Sequence, residues 1–157
     1  MANFTGGEPD ALAGPPLFGA IQLPDGSWIR GRGIQQAEPD GPRPSFGLYL
    51  GVRYAPEWQH QRVDWPDFWL PRDARTTART LQEVHNLARS GAAVEIACAG
   101  GRGRTGTAIA CLAILAGVRP EKAVSWTRQN YRAGAVEMPW QRSWVRNFPS
   151  LLGKSPG

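Results

Sequence analysis

A chain of 157 residues, 41% of them hydrophobic and only two of them cysteine (Cys98 and Cys111), is long enough for one domain with its own core and too poor in cysteine for a disulfide framework. No apolar run approaches the roughly twenty residues that span a bilayer, and the start Asn3-Phe-Thr-Gly-Gly-Glu-Pro-Asp10 lacks a signal-peptide pattern; the expectation is a cytoplasmic chain without a membrane partner. The net charge of +5 comes from arginines spread between Arg30 and Arg146, with Lys122 and Lys154 the only lysines, which argues against a nucleic-acid tail and suits an anionic substrate.

Residues 1–16 are rich in Gly, Pro and Ala and read as a loose tail. Structure is expected to begin at Leu17 to Leu23, followed by the turn Pro24-Asp25-Gly26-Ser27 and the run Trp28 to Gly31, a β-hairpin pattern. After a loop from Glu38 to Pro44, Phe46 to Val52 reads as a buried strand. Gln61 to Asp64 reads as a poorer one, ending at Trp65-Pro66-Asp67. Past Pro71 the spacing of Leu81, Val84, His85 and Ala88 is helical until Gly91 stops it. Ala92 to Ala97 is a strand that delivers Cys98, and Thr107 to Gly117 is apolar all round, the mark of a buried helix. Two further helices are expected over Pro120 to Arg132 and Pro139 to Leu152, before a short tail at 153–157. The fold class is therefore α/β: a single domain over residues 1–157, with a central twisted, partly parallel sheet of about four to five strands flanked by helices, an N-terminal hairpin and a helical C-terminal third.

The segment Val94 to Gly106 carries the chemistry. Gly100, Gly101 and Gly103 let consecutive N–H groups turn inward as an anion nest, and the positive end of the following helix lies beneath them. A thiol at Cys98 in such a place is expected to titrate below the roughly 8.5 of free cysteine. Arg104 adds a planar fork that matches two phosphate oxygens. Gly101 to Gly106 also fits the G-x-G-x-x-G pattern of a dinucleotide loop, but Pro120 to Val124 starts a helix where such a fold needs a strand ending in an acidic residue. A nucleoside-triphosphate loop would need Gly-Lys-Ser/Thr, which is absent.

Cys98, five intervening residues, Arg104 and Thr105 together resemble the C-x5-R-[ST] signature of the cysteine-dependent protein tyrosine phosphatase superfamily. Trp65-Pro66-Asp67 resembles the acid loop of those enzymes, and Gly134 to Gln141 resembles the glutamine segment of the dual-specificity branch. The resemblance implies hydrolysis of phosphate monoesters on a phosphorylated protein or a small ester, through a cysteinyl-phosphate, with no metal or cofactor. Cys98 would be the nucleophile. Ala99, Gly100, Gly101, Arg102 and Gly103 would hold the equatorial oxygens through backbone N–H groups, together with Arg104. Asp67 would be the general acid, in preference to Asp64. Thr105 would donate to the Cys98 sulfur, and Gln141, with Gln129 as its competitor, would place the hydrolytic water.

Ala97 stands where many members of that superfamily have histidine, and neither His60 nor His85 is adjacent in sequence. His85 is expected to be an ordinary surface or half-buried helix residue. Cys111 reads as core, with a protective disulfide to Cys98 as the other possibility. Arg102 reads as a rim arginine, and Trp69, Trp140 and Trp144 as residues of the pocket mouth or of the packing. The alternative function is a phosphate-binding module of the same fold with weak or no activity. Phosphotyrosine, phosphoserine, phosphoinositide and RNA 5′-phosphate substrates all stay open.

Overall fold

The computed structural model describes residues 15–153, so the tails expected at 1–16 and 153–157 lie almost wholly outside the described residues. The elements are β1 (Ile21–Gln22), β2 (Trp28–Gly33), β3 (Phe46–Leu50), β4 (Gln59–Val63), α1 (Ala74–Arg89), β5 (Val94–Cys98), α2 (Gly103–Leu115), α3 (Ala123–Asn130) and α4 (Pro139–Asn147). Among the described residues no helix is long and apolar enough to cross a membrane.

The strands form one five-stranded sheet in the order β1-β2-β5-β3-β4. Only β1 and β2 are antiparallel, closed by the expected turn, in which Leu23 N–H donates to Ser27 O over 2.8 Å and Gly26 takes φ +93°. The others run parallel, with Gly33 opposite Cys98 and Tyr49 opposite Ala97. Cys98 thus ends the central strand, at the carboxyl edge where open α/β sheets place their sites. Every residue of β5 is buried, as a strand covered on both faces requires.

Several boundaries differ from the sequence reading. Only Ile21 and Gln22 of the run Leu17 to Leu23 pair as strand; Leu17 and Leu23 instead point into the core. The fourth strand starts at Gln59 and ends at Val63, its polar composition being tolerated at the sheet edge. Each C-terminal helix divides into an α and a 3₁₀ part, Pro120–Lys122 before α3 and Phe148–Leu151 after α4. Pro149 accounts for the second break, since it lacks the N–H that would continue α4.

Helix α1 is capped by Asp73, whose carboxylate accepts Thr76 N–H, and buries Ala78, Leu81, Val84 and Ala88. Helix α2 is buried from Gly103 to Ala113, in keeping with its apolar sequence. His85 corrects the expectation of an ordinary surface or half-buried residue. It is buried, and its Nε2 lies 2.8 Å from Asp25 Oδ2, which fastens the hairpin turn to α1. A pairing with a residue 60 positions away leaves no mark in the local pattern.

Candidate active site

The loop from Cys98 to Gly103 is shaped by its carbonyls. Cys98 O and Ala99 O accept the N–H groups of Ile34 and Gln35, at 2.8 and 3.1 Å, where β2 runs on past the sheet. Gly100 O accepts Arg132 Nη1 at 2.9 Å, Gly101 O accepts the Tyr131 hydroxyl at 2.6 Å, and Arg102 O accepts Gly106 N–H at 2.9 Å. All five successive carbonyls are therefore drawn outward. A planar trans peptide sets its N–H opposite its carbonyl, so the N–H groups of Ala99, Gly100, Gly101, Arg102 and Gly103 turn to the inside. One of them is already engaged: Gly101 N–H donates to Cys98 Sγ over 3.2 Å.

The glycines of this loop meet a steric requirement. A Cβ on Gly101, at φ +75°, would come within 2.6 Å of Gly33 N, and one on Gly33 within 2.7 Å of the Gly100 carbonyl carbon. Loop and strand backbones are packed directly on each other there.

Arg104, 3% exposed, rises from the first turn of α2. Its Nη1 is anchored by three carbonyls, those of Leu50, Gly51 and Trp65 at 3.1, 3.2 and 3.3 Å. Its Nη2 lies 3.2 Å from Asp67 Oδ1, and its buried Nε has no partner among the described residues. A buried donor left open on a fork whose other edge is fixed is suited to an anion.

Asp67 is 58% exposed on its side chain and faces Arg104. Asp64, its competitor, pairs instead with Arg72 at 3.2 Å. The loop carrying Asp67 is pinned at both ends. Trp65 is fully buried and donates its Nε1–H to Trp69 O over 2.8 Å; Trp140 Nε1–H donates to Phe68 O over 2.7 Å, with Phe68 at φ +62°. Gln141 is buried, accepts Met138 N–H at the start of α4, and donates to Trp69 O over 3.2 Å. It also borders the cradle, since a Cβ on Gly103 would lie 3.3 Å from its Oε1. Gln129 is exposed on α3.

The hydrogen bond expected from Thr105 to the sulfur is not formed in this structure. The Thr105 hydroxyl is buried without a partner among the described residues, and Gly101 N–H occupies the sulfur instead. Both cysteines are free thiols. Cys111 lies in the core of α2, where burial pushes its thiol well above the ordinary range. Arg102 is exposed, as a rim arginine would be. Trp69 and Trp140 pack in a tilted arrangement with centroids 5.2 Å apart and stay exposed, whereas Trp144 packs between Trp65 and Phe148 as part of the interior. His60 is half-buried and bonded to Trp58 O. Sequence reasoning missed Tyr131 and Arg132, because nothing in their local pattern indicates that they reach back some thirty residues to the loop.

The family described as PTP-SAK, the DSP-PTPase phosphatase domain of Swiss Army Knife proteins, matches residues 52–148. No curated protein matches the chain. Among solved structures, Tk-PTP in its active form is 19% identical with a TM-score of 0.65, over 85% of this chain and 99% of that one. Kinase associated phosphatase (KAP) is 17% identical with a TM-score of 0.57, over 66% and 68% of the two chains. PTPMT1 in complex with PI(5)P is 17% identical with a TM-score of 0.51, over 67% and 77%. These three share the fold with the present chain.

Proposed function

The chain belongs to the PTP-SAK family of dual-specificity-type phosphatase domains, and from that premise we propose that it hydrolyses phosphate monoesters through a cysteinyl-phosphate at Cys98, without a metal. The observation that carries this reading is the cradle itself: five inward N–H groups over the end of β5, with Gly101 N–H on the Cys98 sulfur and Arg104 Nε open beside them.

In the first step the Cys98 thiolate attacks phosphorus and the ester P–O bond breaks, the leaving oxygen taking a proton from Asp67. In the second, water attacks phosphorus, the S–P bond breaks, and the proton of the water returns to Asp67. The inward N–H groups and Arg104 hold the equatorial oxygens in both steps, the positioning and charge compensation that phosphoryl transfer demands. Thr105, with its hydroxyl uncommitted, donates to the departing sulfur. Gln141 orients the water through the amide proton that Trp69 O does not use. Proteins carrying phosphotyrosine are the proposed substrate class, with phosphoserine, phosphothreonine and phosphoinositides as competitors, PI(5)P being the molecule bound to PTPMT1.

A second reading, a phosphate-binding module with little activity, draws on two observations: Ala97 brings no cation to the nucleophile, and Asp67 occupies one nitrogen of Arg104. Turnover of p-nitrophenyl phosphate in EDTA by the wild-type protein and by Cys98→Ser separates the two. Activity that vanishes in the variant is expected, and its absence from the wild type would sink the enzyme reading. A panel of phosphotyrosine, phosphoserine and phosphoinositide substrates then ranks the classes by kcat/KM.

A further inference from the structure

We infer that Tyr131 and Arg132, at the C-terminal end of α3, are positioning residues that hold the Cys98 loop in its anion-binding form. The kinetic part of this inference rests on the phosphatase reading; the anion-binding part does not.

The five outward carbonyls of the loop are not held alike. Those of Cys98, Ala99 and Arg102 are fixed by backbone N–H groups of β2's extension and of α2, which come with the fold. Among the described residues those of Gly100 and Gly101 have only side chains, Arg132 Nη1 at 2.9 Å and the Tyr131 hydroxyl at 2.6 Å. These carbonyls belong to the two consecutive glycines, where a peptide is freest to rotate. The peptide held by Arg132 carries Gly101 N–H, the group on the Cys98 sulfur; the peptide held by Tyr131 carries Arg102 N–H. If either peptide turned over, a carbonyl oxygen would face the sulfur and the anion in place of a donor.

Both side chains are set for this task by their surroundings. The Tyr131 ring packs on β2 so closely that a Cβ on Gly31 would lie 2.7 Å from Cε1. Burial chiefly, with the charge of Cys98 adding and Arg132 opposing, pushes its hydroxyl up to about 12, so it remains a donor throughout any assay range. Arg128, one turn earlier, donates to Ala135 O and Val136 O, both over 2.8 Å, and steadies the segment that follows. The charged or titratable groups around the loop are Arg102 and Arg104 at the start of α2, Tyr131 and Arg132 after α3, Asp67 on its own loop, and Glu137 before α4, whose Oε1 would lie 2.5 Å from a Cβ on Gly103.

Tyr131→Phe removes the hydroxyl and keeps the ring; Arg132→Met removes the fork and keeps much of the stem, with Arg132→Lys as the conservative variant. Each is compared with the wild type for orthovanadate affinity, rate of Cys98 alkylation by iodoacetamide at pH 6.5, kcat and KM on p-nitrophenyl phosphate, and melting temperature. Loss of one such hydrogen bond is expected to weaken vanadate binding and slow alkylation by about 5- to 10-fold, with Arg132→Lys recovering part of the loss. A variant with unchanged vanadate affinity and alkylation rate, whatever its melting temperature, would show that its residue only packs and would overturn the inference for it. If the wild type does not turn over the ester, the phosphatase reading fails while vanadate and alkylation still decide this one.

Discussion

Asp67 Oδ1 and Arg104 Nη2 lie 3.2 Å apart, an exposed carboxylate resting on a buried guanidinium whose other terminal nitrogen is tied to three carbonyls. In the proposed reaction an incoming phosphate would take Nη2 from Asp67, and the released carboxylate would then serve the ester oxygen. Asp67→Ala should therefore leave vanadate affinity unchanged or tighter while lowering kcat. The loss should reach about 10²- to 10⁴-fold on phenyl phosphate and be much smaller on an ester with a better leaving group. Equal losses on both esters would remove Asp67 from the role of acid.

Gly51 links the same two elements from the other side. It has φ +66°; a Cβ there would collide with the Trp65 carbonyl and come within 2.5 Å of Arg104 Nη1. Gly51→Ala should cost about 1–3 kcal/mol of stability and, below its melting point, lower kcat/KM by at least about tenfold, because the arginine and the acid loop must both shift. Gly91→Ala is the matched control. Gly91 has φ +95° with nothing among the described residues within 4 Å of an added Cβ, so the variant should lose about 1 kcal/mol of stability and keep its kcat/KM.

Beneath the cradle, Glu95 on β5 is fully buried between two arginines. Its Oε1 accepts from Arg30 Nε and Nη2 at 3.0 and 2.6 Å and from Arg32 Nε at 2.7 Å, and its Oε2 accepts the Tyr49 hydroxyl at 2.8 Å. Burial, followed by the charge of Glu95, pushes the Tyr49 hydroxyl far above its ordinary range, so it stays a donor. Glu95→Ala would leave two guanidinium groups in the interior without their counter-charge. The expected cost is about 3–5 kcal/mol, seen as a fall in melting temperature of at least about 6 °C. A smaller fall would mean that Arg30 and Arg32 reach water when the carboxylate is removed.

The contrast between Cys98 and Glu95 explains what the sequence could reveal. Cys98, the glycine nest and Arg104 are contiguous, so the segment proposed to carry the chemistry could be read from one short stretch; Trp65-Pro66-Asp67 is equally local. The partly parallel sheet and the hairpin were legible because hydrophobic runs and turn residues alternate along the chain. The carbonyl contacts of Tyr131 and Arg132, the three-residue charge cluster at Glu95 and the placement of His85 depend on strand register and long-range packing, which no local period encodes. Thr105 shows a different limit: its adjacency to Arg104 can be read from the sequence, but the direction of its hydroxyl cannot.

The Asp25–His85 contact yields a prediction about pH. Burial works against ionisation of Asp25, but hydrogen bonds from the Ser27 hydroxyl and N–H and the contact with His85 more than offset it, so the carboxyl titrates below its ordinary 3.8. The groups facing it are Ser27 on the hairpin and His85 and Arg89 on α1, the last at 3.9 Å. Because the folded value is depressed, the stability this carboxylate contributes is present above the unfolded value and is lost as pH falls through the folded one. Asp25→Ala should thus destabilise the protein by about 1–2 kcal/mol at pH 6, and the gap in melting temperature between variant and wild type should be narrower at pH 3. A gap of the same size at both values would mean that the Asp25 side chain holds the turn equally well without its charge.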